Sequence, residues 1–427
     1  MKRKTVLLLS LILLLGFSGC GKAEEDGRGF DAARSFAHFY SSTWVRETTD
    51  TLYFLGWSDH YIKYADKATG ISGVLCGRPE CRHNDENCNA YVDAECILMD
   101  GDRLYWMAVE FTDSGIQYVL YSMALDGTDR RKEAELPEGF IPSSTAAHRH
   151  YLLYNGWLYF GDVSSEIVNG EQILYNYVAA APIGSKQESF VILKEETIDR
   201  GYSNLAIQFY KGDLYILTCE PSPLNEGEEY LLYDCTLRRW NAETDELETL
   251  YEDESVLNWS SELWVTDDGV LFNRNTSTTY GPLENRIYKY YFDSGECEYL
   301  FDNGIYGWAN MGLIADDLVS GQQITDGNDG TYDFYVMLKD FEGNVLVDET
   351  YTLDIWGGYA NDDIQDIFSI DFVGRDEEYA YYSFAAFDKD GTSYISLVSV
   401  ALDGGGAQVM CTQAEACTEQ WASGQIS

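Results

Sequence analysis

The chain has 427 residues, with 28 basic against 72 acidic side chains and a formal charge of −44. So strong a negative field argues against nucleic acid or other polyanions as partners. With only 7 Pro and an aromatic content of 15%, including 33 Tyr and 10 Trp, the composition is that of packed strands and not of a disordered chain.

The N-terminus reads as a processing signal. Lys2, Arg3 and Lys4 form a basic start, and Thr5 to Phe17 is apolar but too short to span a bilayer as a mature helix. Phe17-Ser18-Gly19-Cys20 resembles the lipobox of bacterial lipoproteins, with Phe17 in place of the usual Leu. That resemblance implies a signal peptide over residues 1–19, a lipid such as palmitate on Cys20, and a place on the outer face of the bacterial cytoplasmic membrane. No other stretch resembles a span, so the membrane is met through the lipid alone. Residues 20–41 are a polar tether with a short helical segment, in which Asp31 is the expected N-cap and Phe36, Phe39 and Tyr40 share a face.

From residue 42 to residue 411 one pattern recurs seven times: strand, tight polar turn, aromatic strand, loop, strand, Gly/Asp turn, strand. The first turns fall near Asp50, Gly101, Gly156, Gly212, Asp268, Asp317 and Asp376. The later turns fall at Asp66–Gly70, Asp126–Gly127, Ile183–Gly184, Glu243–Asp245, Asp293–Gly295, Glu342–Gly343 and Asp403–Gly404. Two interleaved series with a period of about 50–55 residues mark a radial repeat. Four antiparallel strands per unit make it an all-β, single β-propeller of seven blades, with six or eight as alternatives. Unit 6 is the least regular, and a six-bladed ring with unit 6 inserted is the main rival. Counted this way, blades 1 and 7 exchange no strand, which makes their seam a weak point. Residues 30–40 and the tail 412–427 are candidates to cover it.

In such a blade the loop between strands 2 and 3 and the link to the next blade share one rim, while the two remaining turns share the other. The second class is short. The first is expected to be long, at Gly161–Glu171, Glu220–Glu229, Asn273–Asn285 and Thr352–Gln365. Binding residues favour loops on rigid scaffolds, so the loop rim is the candidate face.

The most distinctive local stretch is Leu75-Cys76-Gly-Arg-Pro-Glu-Cys81-Arg-His83, followed by Cys88 and Ala90. Together with Asp66-Lys67 and Thr69-Gly70 it resembles secreted lipoproteins of anaerobic Gram-positive bacteria with a TolB-like β-propeller. The resemblance implies a fold and an extracytoplasmic compartment, and no activity. Cys76, Cys81, His83 and Cys88 suit a tetrahedral Zn²⁺, although their spacing matches no common zinc module. Export makes one or two disulfides the favoured reading over the metal, with Cys96 as a fourth thiol, and free thiols are the third. Of the other cysteines, Cys411 and Cys417 are placed to close a small loop. Cys219 and Cys235 are expected out of register on their hairpin.

His60, His83, His148 and His150 all fall on the expected loop rim of blades 1–3, and Trp57 and Trp356 are candidates there for stacking on a ligand. Two Asp/Gly stretches, from Asp326 and from Asp388, resemble the start of Ca²⁺ loops but also fit ordinary turns. No cofactor is required on this pattern; Zn²⁺ or Ca²⁺ are the ions it allows. No nucleophile elbow or phosphate loop occurs. The sequence therefore points to a monomeric surface module binding a glycan, peptide or protein. A propeller enzyme acting on glycans (a glycoside hydrolase or lyase) and an envelope scaffold are the alternatives, since the fold hosts all three.

Overall fold

The turn series recurs in the backbone. Gly70, Gly127, Gly184, Asp245, Gly295, Gly343 and Gly404 all take a left-handed φ of between 58° and 84°. Six are glycine because a Cβ is disfavoured there. The seventh, Asp245, accepts a hydrogen bond from Trp240 Nε1 at 2.9 Å. The computed structural model describes residues 45–415, apart from 57–58, 85, 93, 95, 113–114, 137–150, 170, 185–187, 198–203, 223–231, 257, 260–261, 277–283, 303–312, 316–317, 327–330, 358–363 and 389–391. The expected signal, tether and helix, and most of the tail, lie outside the described residues.

Seven antiparallel sheets form a seven-bladed β-propeller. Blade 1 holds β1 (Val45–Glu47), β2 (Thr51–Leu55), β3 (Ile62–Asp66) and β4 (Ser72–Val74). Blade 2 holds β5 (Leu98–Asp100), β6 (Arg103–Thr112), β7 (Gly115–Ala124) and β8 (Arg131–Glu135). Blade 3 holds β9 (Tyr151–Tyr154), β10 (Trp157–Val168), β11 (Glu171–Pro182) and β12 (Phe190–Thr197). Blade 4 holds β13 (Asn204–Tyr210), β14 (Asp213–Pro221), β15 (Tyr233–Asn241) and β16 (Glu246–Val256). In blade 5 the innermost place is shared by β17 (Asn258–Trp259) and β18 (Leu263–Val265), both paired with β19 (Gly269–Thr276), before β20 (Glu284–Tyr291) and β21 (Cys297–Asp302). Blade 6 holds β22 (Leu313–Ala315), β23 (Leu318–Asp326), β24 (Tyr332–Asp340) and β25 (Val345–Leu353). Blade 7 holds β26 (Ile364–Arg375), β27 (Tyr379–Asp388), β28 (Ser393–Ala401) and β29 (Ala407–Glu415). Blade 6 is thus a full member of the ring and not an insertion. β29 runs four residues past the expected end of the propeller at 411.

Alternation places the third strands. In β24, Tyr332, Phe334, Val336 and Leu338 are buried and the residues between them are half-exposed. Phe334 packs edge-on against Tyr382 and Phe384 of blade 7, with ring centroids 5.1 and 4.9 Å apart. Tyr154 stacks on Phe209 at 3.9 Å across the joint of blades 3 and 4. Such pairs add about 0.5–1.5 kcal/mol each beyond their burial.

Two expectations are corrected by the strands. Gly161–Glu171 is not a long loop: pairing in the β10–β11 hairpin continues out to Val168 opposite Glu171. Cys219 and Cys235 are in register, directly opposite one another on β14 and β15.

Blades 1 and 7 share no strand, as expected, and side chains close the seam. Val45, Leu52, Phe54 and Ala65 pack on Val373, Tyr381, Ile395 and Leu397. Lys67 Nζ lies 2.7 Å from Glu47 Oε2 and 3.8 Å from Asp376 Oδ2, and sits 4.1 Å from the centre of the Tyr381 ring. Gln413 Nε2 donates to Ser72 Oγ at 2.8 Å. Burial alone would raise the Asp376 carboxyl. Hydrogen bonds from Tyr381 and the Glu378 and Tyr379 amides, with Lys67 beside them, hold it below the usual aspartate range. Its stabilising effect is therefore complete near neutral pH and is lost as pH falls through that depressed value.

Lys67 and Glu47 are only 9% and 13% exposed. Lys67→Met should cost about 3 kcal/mol of stability in denaturant melts, because it removes the buried cation that lies between the Glu47 and Asp376 carboxylates. The half-exposed Lys132–Glu110 pair (38% and 34%) supplies the control, and Lys132→Met should cost under about 1 kcal/mol. Equal losses from both would show that the seam is not clasped by this ion pair.

Candidate metal centre

The cysteine loop leaves blade 1 and returns to the same residue. The Leu75 amide donates to the Ile62 carbonyl at 2.9 Å, and the Ile62 amide donates to the Ala90 carbonyl at 2.9 Å. Within the loop, Cys81 N donates to Arg78 O at 3.1 Å, closing a turn whose second position is Pro79. Proline's fixed φ suits that position. His83 takes a left-handed φ of 52°, uncommon for a residue with a side chain. Its Nδ1 lies 3.4 Å from Cys88 Sγ.

The sulfurs of Cys76, Cys81 and Cys88 and a ring nitrogen of His83 all lie within 4.8 Å of one another. A tetrahedral Zn²⁺ with Zn–S bonds of about 2.3 Å spaces its donors by about 3.8 Å, so the four need only a small contraction. Three soft thiolates and one imidazole are a zinc set, and the oxygen donors that Ca²⁺ prefers are not among them. A disulfide would use two of the three sulfurs and leave the third and the imidazole without purpose. Cys96 is buried and lies outside the four-donor group.

Local backbone prepares the sulfurs. Burial works to raise the Cys76 thiol, but hydrogen bonds from the Arg78 and Asn89 amides outweigh it and hold the thiol below its ordinary value. Burial pushes Cys88 up to about 12, against the Ala90 amide and with Cys81 and Cys76 adding to the rise. A cation at the centre would reverse that, since metal binding requires thiolates.

Blade 2 holds the loop from behind. Gly77 N donates to Gly127 O at 3.1 Å, and Asn89 Nδ2 donates to the same carbonyl at 3.0 Å. Arg130 Nη1 donates to Tyr91 O at 2.7 Å while its guanidinium lies 5.3 Å from the centre of the Trp106 ring. A Cβ on Gly127 would meet Gly77 N at 2.6 Å and Cys76 Cα at 2.8 Å, on a backbone with φ of +78°. Gly127 is therefore required both by its own turn and by the loop resting on it.

Of the histidines, His83 is in the centre and His60 adjoins it, its ring 6.1 Å from that of Tyr91 and its carbonyl accepting from Val92 N at 2.7 Å. Trp57, His148 and His150 lie outside the described residues. Trp356, expected on the ligand face, is fully buried instead, edge-on to Tyr332 and Tyr394 at 6.4 and 6.3 Å. The candidate Ca²⁺ loops fall largely outside the described residues; Asp388 itself accepts the Thr392 amide at 2.8 Å, which is turn chemistry.

Phe111 was not singled out from the sequence. It stands 85% exposed near the end of β6, with Val109 on the same face of the strand. An apolar residue just before the polar Asp113-Ser114 pair of the sequence was the available signal. The turn rim also differs from expectation. A cavity of about 1300 Å³ opens there at the seam, among Thr48, Asp50, Lys67, Asp376 and Tyr379. Two of its acids are engaged in turns, Asp66 accepting from Thr69 N at 2.8 Å and Asp376 accepting from Tyr379 N at 2.8 Å.

No protein-family profile and no curated protein matches the sequence. Similar solved structures include a prolyl endopeptidase, at 10% identity and a TM-score of 0.49, covering 89% of this chain and 51% of that one. This chain thus spans about half the length of that enzyme. A polysaccharide lyase, an ulvan lyase of family PL25, has 10% identity and a TM-score of 0.45 over 89% of this chain and 96% of its own. The β-propeller domain of the trilobed protease from Pyrococcus furiosus, described as an open velcro topology, has 11% identity and a TM-score of 0.40 over 72% and 88%. The propeller fold of this chain rests on its own strand order.

The purified chain should carry about one Zn²⁺, measured by elemental analysis, and Cys88→Ala should abolish it. Chelation should make the segment from Gly77 to Ala94 the first site of proteolysis. Trace metal together with a mapped disulfide among Cys76, Cys81 and Cys88 would overturn the assignment. Gly127→Ala should lower stability by about 2 kcal/mol or more through strain and overpacking.

Proposed function

We propose that the chain is a lipid-anchored, extracytoplasmic propeller that binds a glycan, peptide or protein on its loop rim. Zn²⁺ held by Cys76, Cys81, His83 and Cys88 staples the link between blades 1 and 2. Four protein donors fill a tetrahedral ion and leave no position for a substrate, which supports a structural and not a catalytic metal. The observation that carries the binding role is Phe111, an exposed aromatic on a ten-residue strand that runs well past the three-residue β5 beside it. With Val109 it gives a rigid apolar contact at the loop rim of blade 2, the kind of anchor on which recognition surfaces depend. The lipid anchor rests on the basic leader and Cys20 alone.

An array of glycans and peptides probed with the soluble domain, residues 24–427, tests the proposal. Phe111→Ala should weaken any captured ligand about tenfold or more with no change in thermal midpoint, whereas Asn155→Ala on the turn rim should not. Capture that survives Phe111→Ala would place recognition elsewhere. In cells, Cys20→Ala should release the protein from membranes or leave it unprocessed, and unchanged retention with normal cleavage would exclude the anchor.

A further inference from the structure

Cys219 and Cys235 face each other in the second and third strands of blade 4, both buried, with Sγ atoms 2.8 Å apart. Flanking hydrogen bonds define their pair type. Ser222 N donates to Leu232 O on one side, and Ala242 N donates to Gly212 O on the other. Directly opposite residues alternate between hydrogen-bonded and non-hydrogen-bonded pairs along an antiparallel ladder. Gly212 and Ser222 belong to hydrogen-bonded pairs, so the odd-numbered Cys219 falls in a non-hydrogen-bonded one. There the Cα atoms approach to about 4.5 Å, the near end of the range a disulfide accepts. The sulfurs need to close from 2.8 Å to about 2.0 Å.

We propose that Cys219 and Cys235 form a cross-strand disulfide when the chain folds in the presence of a disulfide oxidant. The Cys219 thiolate attacks the S–S bond of the oxidant and releases one of its sulfurs as a thiol. The Cys235 thiolate then attacks Cys219 of the mixed disulfide and displaces the second. Two protein thiols lose their protons and two electrons pass to the oxidant, which leaves as two thiols. Because both sulfurs are buried in the folded sheet, the exchange belongs to folding, and the finished bond is shielded from reductant. The bond ties β14 to β15 where both strands reach the loop rim. It is separate from the zinc set, whose three thiols are held by the metal, and it depends on geometry and not on cellular address.

The test refolds the denatured, reduced full-length chain with Zn²⁺ and oxidised glutathione, then alkylates remaining thiols under denaturing conditions and maps peptides by mass spectrometry. The expected result is a linked pair of peptides carrying Cys219 and Cys235, about 2 Da lighter than the two reduced peptides. Dithiothreitol at native pH should leave the link intact until denaturant is added. Refolding without oxidant should give the same circular dichroism spectrum with both thiols present, and a lower thermal midpoint. Alkylation of both cysteines after oxidative refolding, or linkage of either to a different cysteine in natively folded chain, would overturn the proposal.

Discussion

Every blade must bury both faces of its sheet against a neighbour. β14 is buried without a break from Leu214 to Cys219, and β27 from Ala380 to Phe384, so neither face of these second strands meets water there. A single blade is therefore not a stable unit, and the stack is completed only when its ends meet. Because no strand is shared between blades 1 and 7, side chains supply that closure. The Phe54–Tyr381 apolar cluster spans the joint, and the Lys67 ammonium bridges carboxylates from both blades. The acidic excess of the chain makes the few buried cations valuable at such joints.

A second contact recurs outside the core, where the outer strand of one blade rests on the last turn of the next. Gly184 N donates to Glu133 O at 3.2 Å between blades 3 and 2, and Phe301 of blade 5 lies 2.8 Å from where a Cβ on Gly343 would sit. Gln413 and Ser72 repeat it at the seam. The cysteine loop is an elaboration of this contact at the joint of blades 1 and 2, with Gly77 against Gly127. That common origin explains why its donors converge. Ile62 fixes both ends, and Gly127 holds Gly77 and Asn89 just inside them, which brings the sulfurs of the enclosed segment together.

Much of the ring was legible in the sequence because turns need specific residues. The Gly/Asp series marked all seven outer turns, and the backbone puts a left-handed residue at each. Loop lengths were less legible. Asp162, Ser164, Ser165 and Glu166 interrupt the apolar pattern, yet their backbones continue the β10–β11 ladder, which needs no apolar side chain. Trp356 lay near a linker and looked exposed, but Tyr332 and Tyr394, distant in sequence, enclose it. The same limit applied to Cys219 and Cys235. Only strands extending to Pro221 and from Tyr233 reveal that the two are opposite. For the candidate metal centre, residue types were visible and their convergence was not, since the groups that impose it are on β3 and in blade 2.

The central claim is that side chains across the seam of blades 1 and 7, with no shared strand, make the ring one cooperative body. Native-state hydrogen exchange, read strand by strand at low denaturant, tests it most directly. If the seam is closed as described, the slowest amides of β2 and β27 should exchange through the same global opening as those of β14, with matching free energies and denaturant dependence. If β1–β4 and β26–β29 instead open first as a separate unit while blades 3–5 stay protected, the seam does not hold and the ring is an open stack.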